Sequence, residues 1–178
     1  MKIRALASDE DVDDLIAAVT RSADAALAKL SQLGGGSEGL RTLWALKVSP
    51  VGCDPLAAEV PLNLIEQLNQ TFTYLASARA VKLLLSLHPD LAPFTVNLGT
   101  SSGSDIESAK AGGLAAEVFA AVNTSNNRKL AKDLAKVGRT EARLKYVFFM
   151  CPGYGEGRQL QLEGGGGGVQ VWSVGDAV

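Results

Sequence analysis

Acidic residues in two short apolar segments are the clearest candidates for chemistry in this sequence. Asp105 and Glu107 close the segment that follows Gly99–Gly103, and Glu117 lies inside the apolar run 114–122. A carboxylate in a buried strand is costly unless it is paired or binds a cation. Acids on two neighbouring segments could converge on one ion, so the pattern predicts a metal site.

Each of these acids also has a purely structural interpretation. Asp105 follows a Gly-Ser pair, and aspartate in that position is typical of a turn cap. Glu117 could pair with a buried arginine or lysine inside the fold. For Glu107, a surface acid at a strand end is the first interpretation.

A basic segment follows the acids along the chain. Between residues 127 and 145, seven cations stand against Asp133 and Glu141, which gives this segment a charge of +5 and the remainder −7. The seven are Arg128, Lys129, Lys132, Lys136, Arg139, Arg143 and Lys145. A basic face of this kind can steer a polyanion such as DNA. A solvated helix face is the alternative interpretation.

Size and composition exclude several other classes of function. A chain of 178 residues can bury one core, so we expect a single domain spanning 1–178. One histidine, His88, argues against a histidine metal cage or a Ser-His triad. Two cysteines, no expected secretion signal and no apolar run of about 20 residues predict a cytoplasmic protein without a membrane partner.

Hydrophobic periodicity predicts an α/β fold. The predicted helices cover Asp9–Leu33, Pro61–Leu87 and Arg128–Val137. Pro61 would occupy the first position of the second helix, which suits proline. The predicted strands cover 40–48, 94–98, 104–107, 114–122 and 144–151, and two short strands, 159–162 and 169–174, flank the glycines 164–168.

Two side-chain positions follow from these elements. On a strand through 114–122, Glu117 and Phe119 point to the same face, because the side-chain period is two. On the helix from Pro61, Glu66 belongs to a polar line with Gln70, Thr73 and Ser77. That line either borders a site or forms the solvent side of the helix.

From Pro61 onward, the element order and the acids resemble the PD-(D/E)xK nuclease superfamily, which has the restriction-endonuclease-like fold. Ser104-Asp105 is similar to the first motif of the family, and Glu117-Val118-Phe119 to the second. The resemblance implies a core of helix, three strands, helix and strand over 61–151. The first sixty residues, 1–60, would be an added helix and strand, and 152–178 a C-terminal hairpin.

The resemblance implies a site in which Asp105 and Glu117 bind Mg²⁺ or Mn²⁺ and Glu66 adds a third carboxylate. Phe119 occupies the position of the family's catalytic lysine, so Lys129 or Arg128 of the following helix would supply the cation. The same helix would hold DNA through Arg128, Lys129, Lys132 and Lys136, which favours affinity over sequence preference.

Two functional hypotheses therefore stand. The first is a metal-dependent endonuclease that hydrolyses DNA, favoured by Glu66, Asp105 and Glu117. The second is a catalytically inactive member of the same fold that binds nucleic acid or a protein partner, favoured by Phe119. The sequence is compatible with a homodimer and does not select an oligomeric state.

Overall fold

The computed structural model describes residues 2–33, 38–99, 101–164 and 168–176. The chain divides into two compact units, one formed by Met1–Asp13 with Ala76–Val178 and the other by Asp14–Leu75. The predicted mixed α/β class is confirmed. Residues 165–167 of the predicted glycine connection, and Thr100 of the turn 99–103, lie outside the described residues.

The helices lie close to three of the predicted segments and also occupy an unexpected one. They are α1 (Asp9–Leu33), α2 (Gly39–Val48), α3 (Leu64–Leu87) and α4 (Lys129–Gly138). The predicted bounds of α1 are confirmed. Asp11 fixes its start, because its carboxylate accepts hydrogen bonds from the backbone N–H groups of Ala7 and Ser8.

The first unit is built on a seven-stranded mixed sheet. Its strands are β1 (Ile3–Leu6), β4 (Phe94–Asn97), β5 (Ile106–Ser108), β6 (Leu114–Ala120), β7 (Leu144–Met150), β8 (Gly157–Arg158) and β9 (Val169–Ser173), whereas β2 and β3 belong to the second unit. The strand order is β1-β4-β5-β6-β7-β9-β8. β6, β7 and β9 are parallel neighbours, and the other neighbouring pairs are antiparallel.

The α4 helix connects β6 to β7, which a parallel pair requires because its strands run in the same direction. The helix covers one face of the sheet, where Phe119, Val137, Val147, Phe149 and Val171 form a buried cluster. Val137 comes from the helix and the other four from β6, β7 and β9. This packing sets which residues of α4 can reach β6.

The second unit contains a two-stranded hairpin, β2 (Gly52–Asp54) and β3 (Ala57–Leu62), which the sequence did not predict. The prediction of a strand over 40–48 is wrong, because α2 occupies Gly39–Val48. Leu43 and Ala45 interrupt the alternation of polar and apolar residues, and leucine, alanine, arginine and lysine favour helix. α2 has no buried residue.

The predicted helix start at Pro61 is also wrong. Pro61 lies in β3 opposite Cys53 of the hairpin, where a residue without a backbone N–H is tolerated in an edge strand. α3 begins at Leu64 instead. The side chains of Asn63 and Glu66 each accept a hydrogen bond of 3.0 Å from the other's backbone N–H, which forms a capping box.

The C-terminal hairpin differs in detail from the prediction. β8 pairs with β9 in antiparallel fashion, but the predicted strand over 159–162 is wrong, because Leu160–Leu162 forms a 3-10 turn. Glu163 holds this turn against the sheet. Its carboxylate accepts hydrogen bonds from the Arg158 guanidinium and from the backbone N–H of Val171. Throughout the described ranges, each helix is too short or too polar to traverse a lipid bilayer.

Candidate functional site

Glu117 lies in the middle of β6 with its side chain only 2% exposed. Its strand neighbours at a spacing of two, Ala115 and Phe119, both belong to the cluster under α4. Glu117 therefore shares a face with Phe119, as predicted, and this face is covered by α4. A buried carboxylate at this point requires a charged or hydrogen-bonding partner.

Lys136 of α4 supplies that partner. Its Nζ atom donates a hydrogen bond of 2.7 Å to Oε2 of Glu117, while its own side chain stays 51% exposed. The second carboxylate oxygen, Oε1, is buried and has no hydrogen-bond partner within the described ranges. The ion pair foreseen as the structural interpretation of Glu117 is thus present, and it leaves one oxygen unsatisfied.

Asp105 lies beside Glu117 across the two neighbouring strands. It immediately precedes β5, whose first residue, Ile106, pairs with Ala116 of β6. Oδ2 of Asp105 accepts a hydrogen bond of 2.8 Å from the backbone N–H of Val118. The carboxylate is therefore bound to the strand that carries Glu117, and this bond crosses to β6 instead of capping the turn before β5.

A second buried acid, Asp133 of α4, was not predicted as part of the site. Its side chain is 4% exposed, and Oδ1 accepts a hydrogen bond of 2.7 Å from Nζ of Lys129. Oδ2 is buried without a partner in the part of the chain that the structure describes. The Lys129 ammonium also lies 6.0 Å from the centroid of the Phe119 ring.

Helical spacing explains how these three charged residues meet the sheet. Lys129, Asp133 and Lys136 are separated by four and three positions, which places them on one side of α4. Asp133 and Val137 are the buried residues of this helix. The sequence signal that could have identified Asp133 is its helical spacing from the inward-facing Val137. An acid flanked by lysines, however, is usually a solvated surface residue.

Burial changes the protonation properties of the site. Burial, with a smaller contribution from the charge of Asp105, raises the pKa of Glu117 to about 7, against the opposing hydrogen bond from Lys136. Burial also raises the pKa of Asp133, against the Lys129 hydrogen bond. Partial burial lowers the pKa of Lys136, but the hydrogen bond and charge of Glu117 outweigh it, so the pKa is raised and the ammonium form is favoured.

The remaining predicted residues have separate environments. Glu66 belongs to the second unit, where it is exposed and forms the capping box with Asn63. Glu107 is exposed, and its carboxylate accepts a hydrogen bond from the backbone N–H of Ser104. Arg128 and Lys132 are exposed at and near the start of α4.

The donor atoms near Glu117 suit a hard cation. Among the described residues, no group of three histidine, cysteine, aspartate or glutamate side chains is arranged to hold a metal ion. Mg²⁺ is usually bound by one or two carboxylates, with waters and substrate phosphates completing the octahedron. Asp105 and Glu117, with the buried and unsatisfied Oε1 of Glu117, fit a site of that kind.

Comparisons with known proteins do not add to this picture, because no family model, curated protein or solved structure matches the chain. The interpretation of the site therefore depends on the chain's own residues and geometry.

Proposed function

We propose that this protein is a metal-dependent nuclease that hydrolyses DNA phosphodiester bonds, with Asp105 and Glu117 as the residues that hold Mg²⁺ or Mn²⁺. One observation carries the proposal. Asp105, immediately before β5, is bound to Val118 of β6 next to Glu117, and Glu117 is buried with an unsatisfied oxygen. A buried unsatisfied carboxylate oxygen is costly, and a bound cation would remove that cost.

The arrangement of elements supports the same proposal. α3, the strands β4, β5 and β6, α4 and β7 follow one another in the order expected for a PD-(D/E)xK core. Asp105 precedes the second of those strands, and Glu117 lies in the third. We propose a restriction-endonuclease-like core on this basis. Glu66 stays a predicted third ligand from the sequence.

The protein's own groups would orient the carboxylates for this chemistry. The Val118 N–H holds Asp105 and the Lys136 ammonium holds Glu117, so hydrogen bonds already restrict both side chains. Asp105 and Glu117 would hold the Mg²⁺ ion, which would polarise the phosphate and lower the pKa of the attacking water. Hydrolysis forms a bond from the water oxygen to phosphorus and breaks the bond from phosphorus to the sugar oxygen, which takes up a proton as the water releases one.

The exposed side of α4 would hold the nucleic acid. Arg128 and Lys132 are exposed, and the Lys136 side chain is half-exposed beside the carboxylates. Contacts from such cations to phosphates supply affinity that depends on salt and carries no sequence information. The substrate proposed is therefore DNA recognised mainly through its backbone.

The second candidate function is a catalytically inactive protein that binds nucleic acid or a protein partner on the same scaffold. The buried Phe119 favours it. This side chain fills the position where the family has a lysine, and its ring stacks on Phe149 with centroids 5.8 Å apart. A position packed in this way contributes to the core and provides no charge to a reaction.

A plasmid-cleavage assay with Mg²⁺ or Mn²⁺ separates the two candidates. Wild type should nick or linearise the plasmid, and Asp105→Asn and Glu117→Gln should each abolish the activity. Glu141→Gln is the matched control, since Glu141 is an exposed acid outside the site. Cleavage that survives both site substitutions would contradict the nuclease proposal, and absence of wild-type cleavage with intact DNA binding would favour the binding module.

A further inference from the structure

We infer that Lys136, and not Lys129, supplies the catalytic ammonium group of this site. Lys129 pairs with Asp133 instead. The inference rests on the proposed nuclease function and assigns a further residue to it. It replaces the prediction that Lys129 or Arg128 stands in for the missing strand lysine.

The two lysines have the same hydrogen-bond length but different partners. Lys136 donates to Glu117 at 2.7 Å, and Lys129 donates to Asp133 at 2.7 Å. Glu117 lies in β6 next to Asp105, whereas Asp133 lies in α4 itself. The ammonium in contact with a proposed metal ligand is therefore that of Lys136.

Exposure does not distinguish the two lysines, so their partners must. The Lys136 side chain is 51% exposed and the Lys129 side chain 42% exposed, and both could be approached by a phosphate. Arg128 is one residue further from the site along the chain and precedes the helix with a positive φ of 54°. Arg128 therefore lies outside the helix, and it does not share the side of α4 on which Lys129, Asp133 and Lys136 lie.

Phe119 explains why the ammonium comes from the helix. Its ring is 3% exposed and packs in the cluster with Val137 and Phe149. A lysine in its place would bury its stem and head among apolar groups. Lys136 reaches the same face of β6 from α4, where it contacts Glu117, the charged residue between the apolar Ala115 and Phe119.

The chemistry expected of Lys136 is electrostatic. Its Nζ atom is a hydrogen-bond donor, as its contact with Oε2 of Glu117 shows. A fixed positive group beside the carboxylates would stabilise the negative charge that develops on the phosphate oxygens. Lys129 would contribute by pairing with Asp133, which would otherwise be an unpaired buried acid of α4.

The test compares Lys136→Met and Lys129→Met, a pair matched in chemistry and in helix, with Lys110→Met as the control, because Lys110 is an exposed lysine outside the basic segment. Plasmid cleavage with Mg²⁺ would be measured for kcat and KM, and Mn²⁺ affinity by calorimetry without DNA. We expect Lys136→Met to lower kcat by roughly 100-fold and to raise KM far less, as for loss of a donor that acts mainly in the transition state. Lys136→Arg should recover part of the loss in kcat, and Lys129→Met should keep kcat within about 3-fold of wild type.

The Mn²⁺ measurement gives a readout that does not depend on turnover. Removal of a positive charge beside Glu117 should tighten Mn²⁺ binding in Lys136→Met more than in Lys129→Met. Equal kcat in Lys136→Met and wild type, or a selective loss in Lys129→Met, would overturn the assignment while leaving the nuclease proposal intact. A wild type that neither cleaves DNA nor binds Mn²⁺ would instead overturn the proposed function, and with it this assignment.

Discussion

The Lys136 ammonium lies 2.7 Å from Oε2 of Glu117, and this contact joins an exposed helix surface to a carboxylate that is 98% buried. The pair differs from an ordinary surface salt bridge, because one partner has lost its water and the other has kept most of it. A carboxylate in this situation is neutralised on one oxygen only. That asymmetry should affect both the stability of the protein and its dependence on pH.

Loss of the Lys136 ammonium should destabilise the protein more than loss of the Glu117 charge. Lys136→Met leaves a buried carboxylate without its ammonium, and we expect a loss of about 1–3 kcal/mol in the free energy of unfolding. Glu117→Gln removes the buried charge together with the need for a cation, so it should cost less. Urea unfolding of both variants, with Lys132→Met as a surface control, measures the difference, and a larger loss in Glu117→Gln would contradict the prediction.

Glu117 also predicts a pH dependence of stability. Its pKa is raised from 4.5 to about 7 in the folded protein, so folding favours the protonated form. The stabilisation linked to this group is fully present below pH 4.5 and is lost as the pH rises through 7. With chelator present, wild type should therefore lose stability relative to Glu117→Gln between pH 5 and about 8. A constant difference over this range would contradict a raised pKa.

Phe119 should behave as a core residue. Because it is buried against Phe149, Phe119→Ala should destabilise the protein by about 3–5 kcal/mol, whereas Phe119→Leu should cost clearly less. Thermal unfolding followed by circular dichroism measures both. If Phe119→Leu retains its fold, its cleavage rate should stay near that of wild type, since the ring supplies no reacting group; a large loss of rate in a folded variant would assign the ring a direct role.

The exposed cations of α4 should determine the salt dependence of DNA binding. Arg128→Ala combined with Lys132→Ala should weaken binding and reduce the slope of log K against log salt concentration by about 2. Lys110→Ala is a suitable control, because Lys110 is an exposed lysine outside the basic segment. Fluorescence anisotropy at several salt concentrations tests this, and an unchanged slope in the double variant would exclude these residues from the phosphate contacts.

Glu66 can be tested for its two proposed roles separately. Glutamine preserves a capping box but removes the negative charge, so Glu66→Gln should retain the stability that Glu66→Ala loses, about 0.5–2 kcal/mol. A structural role alone therefore predicts wild-type Mn²⁺ affinity in Glu66→Gln. Weakened Mn²⁺ binding in this stable variant would support the predicted role as a metal ligand.

The sequence by itself determined the elements whose periodicity is strong. α1, α4, β6 and β7 lie within one or two residues of the predicted segments, because long apolar stripes and continuous apolar runs are specific local signals. It also identified Glu117 as an unusual acid in a buried strand. Local patterns could not identify α2, where alternation and helix propensity compete, or the hairpin that includes Pro61.

Only the tertiary structure decided which charges meet. Along the chain, Lys129 and Lys136 are equivalent members of a basic segment, and Asp133 resembles a surface acid between them. The placement of α4 over β6, fixed by the packing of Val137 among Phe119, Val147 and Phe149, brings Lys136 to Glu117 and buries Asp133 with Lys129. Such contacts depend on packing between segments distant along the chain, which single-sequence patterns do not contain.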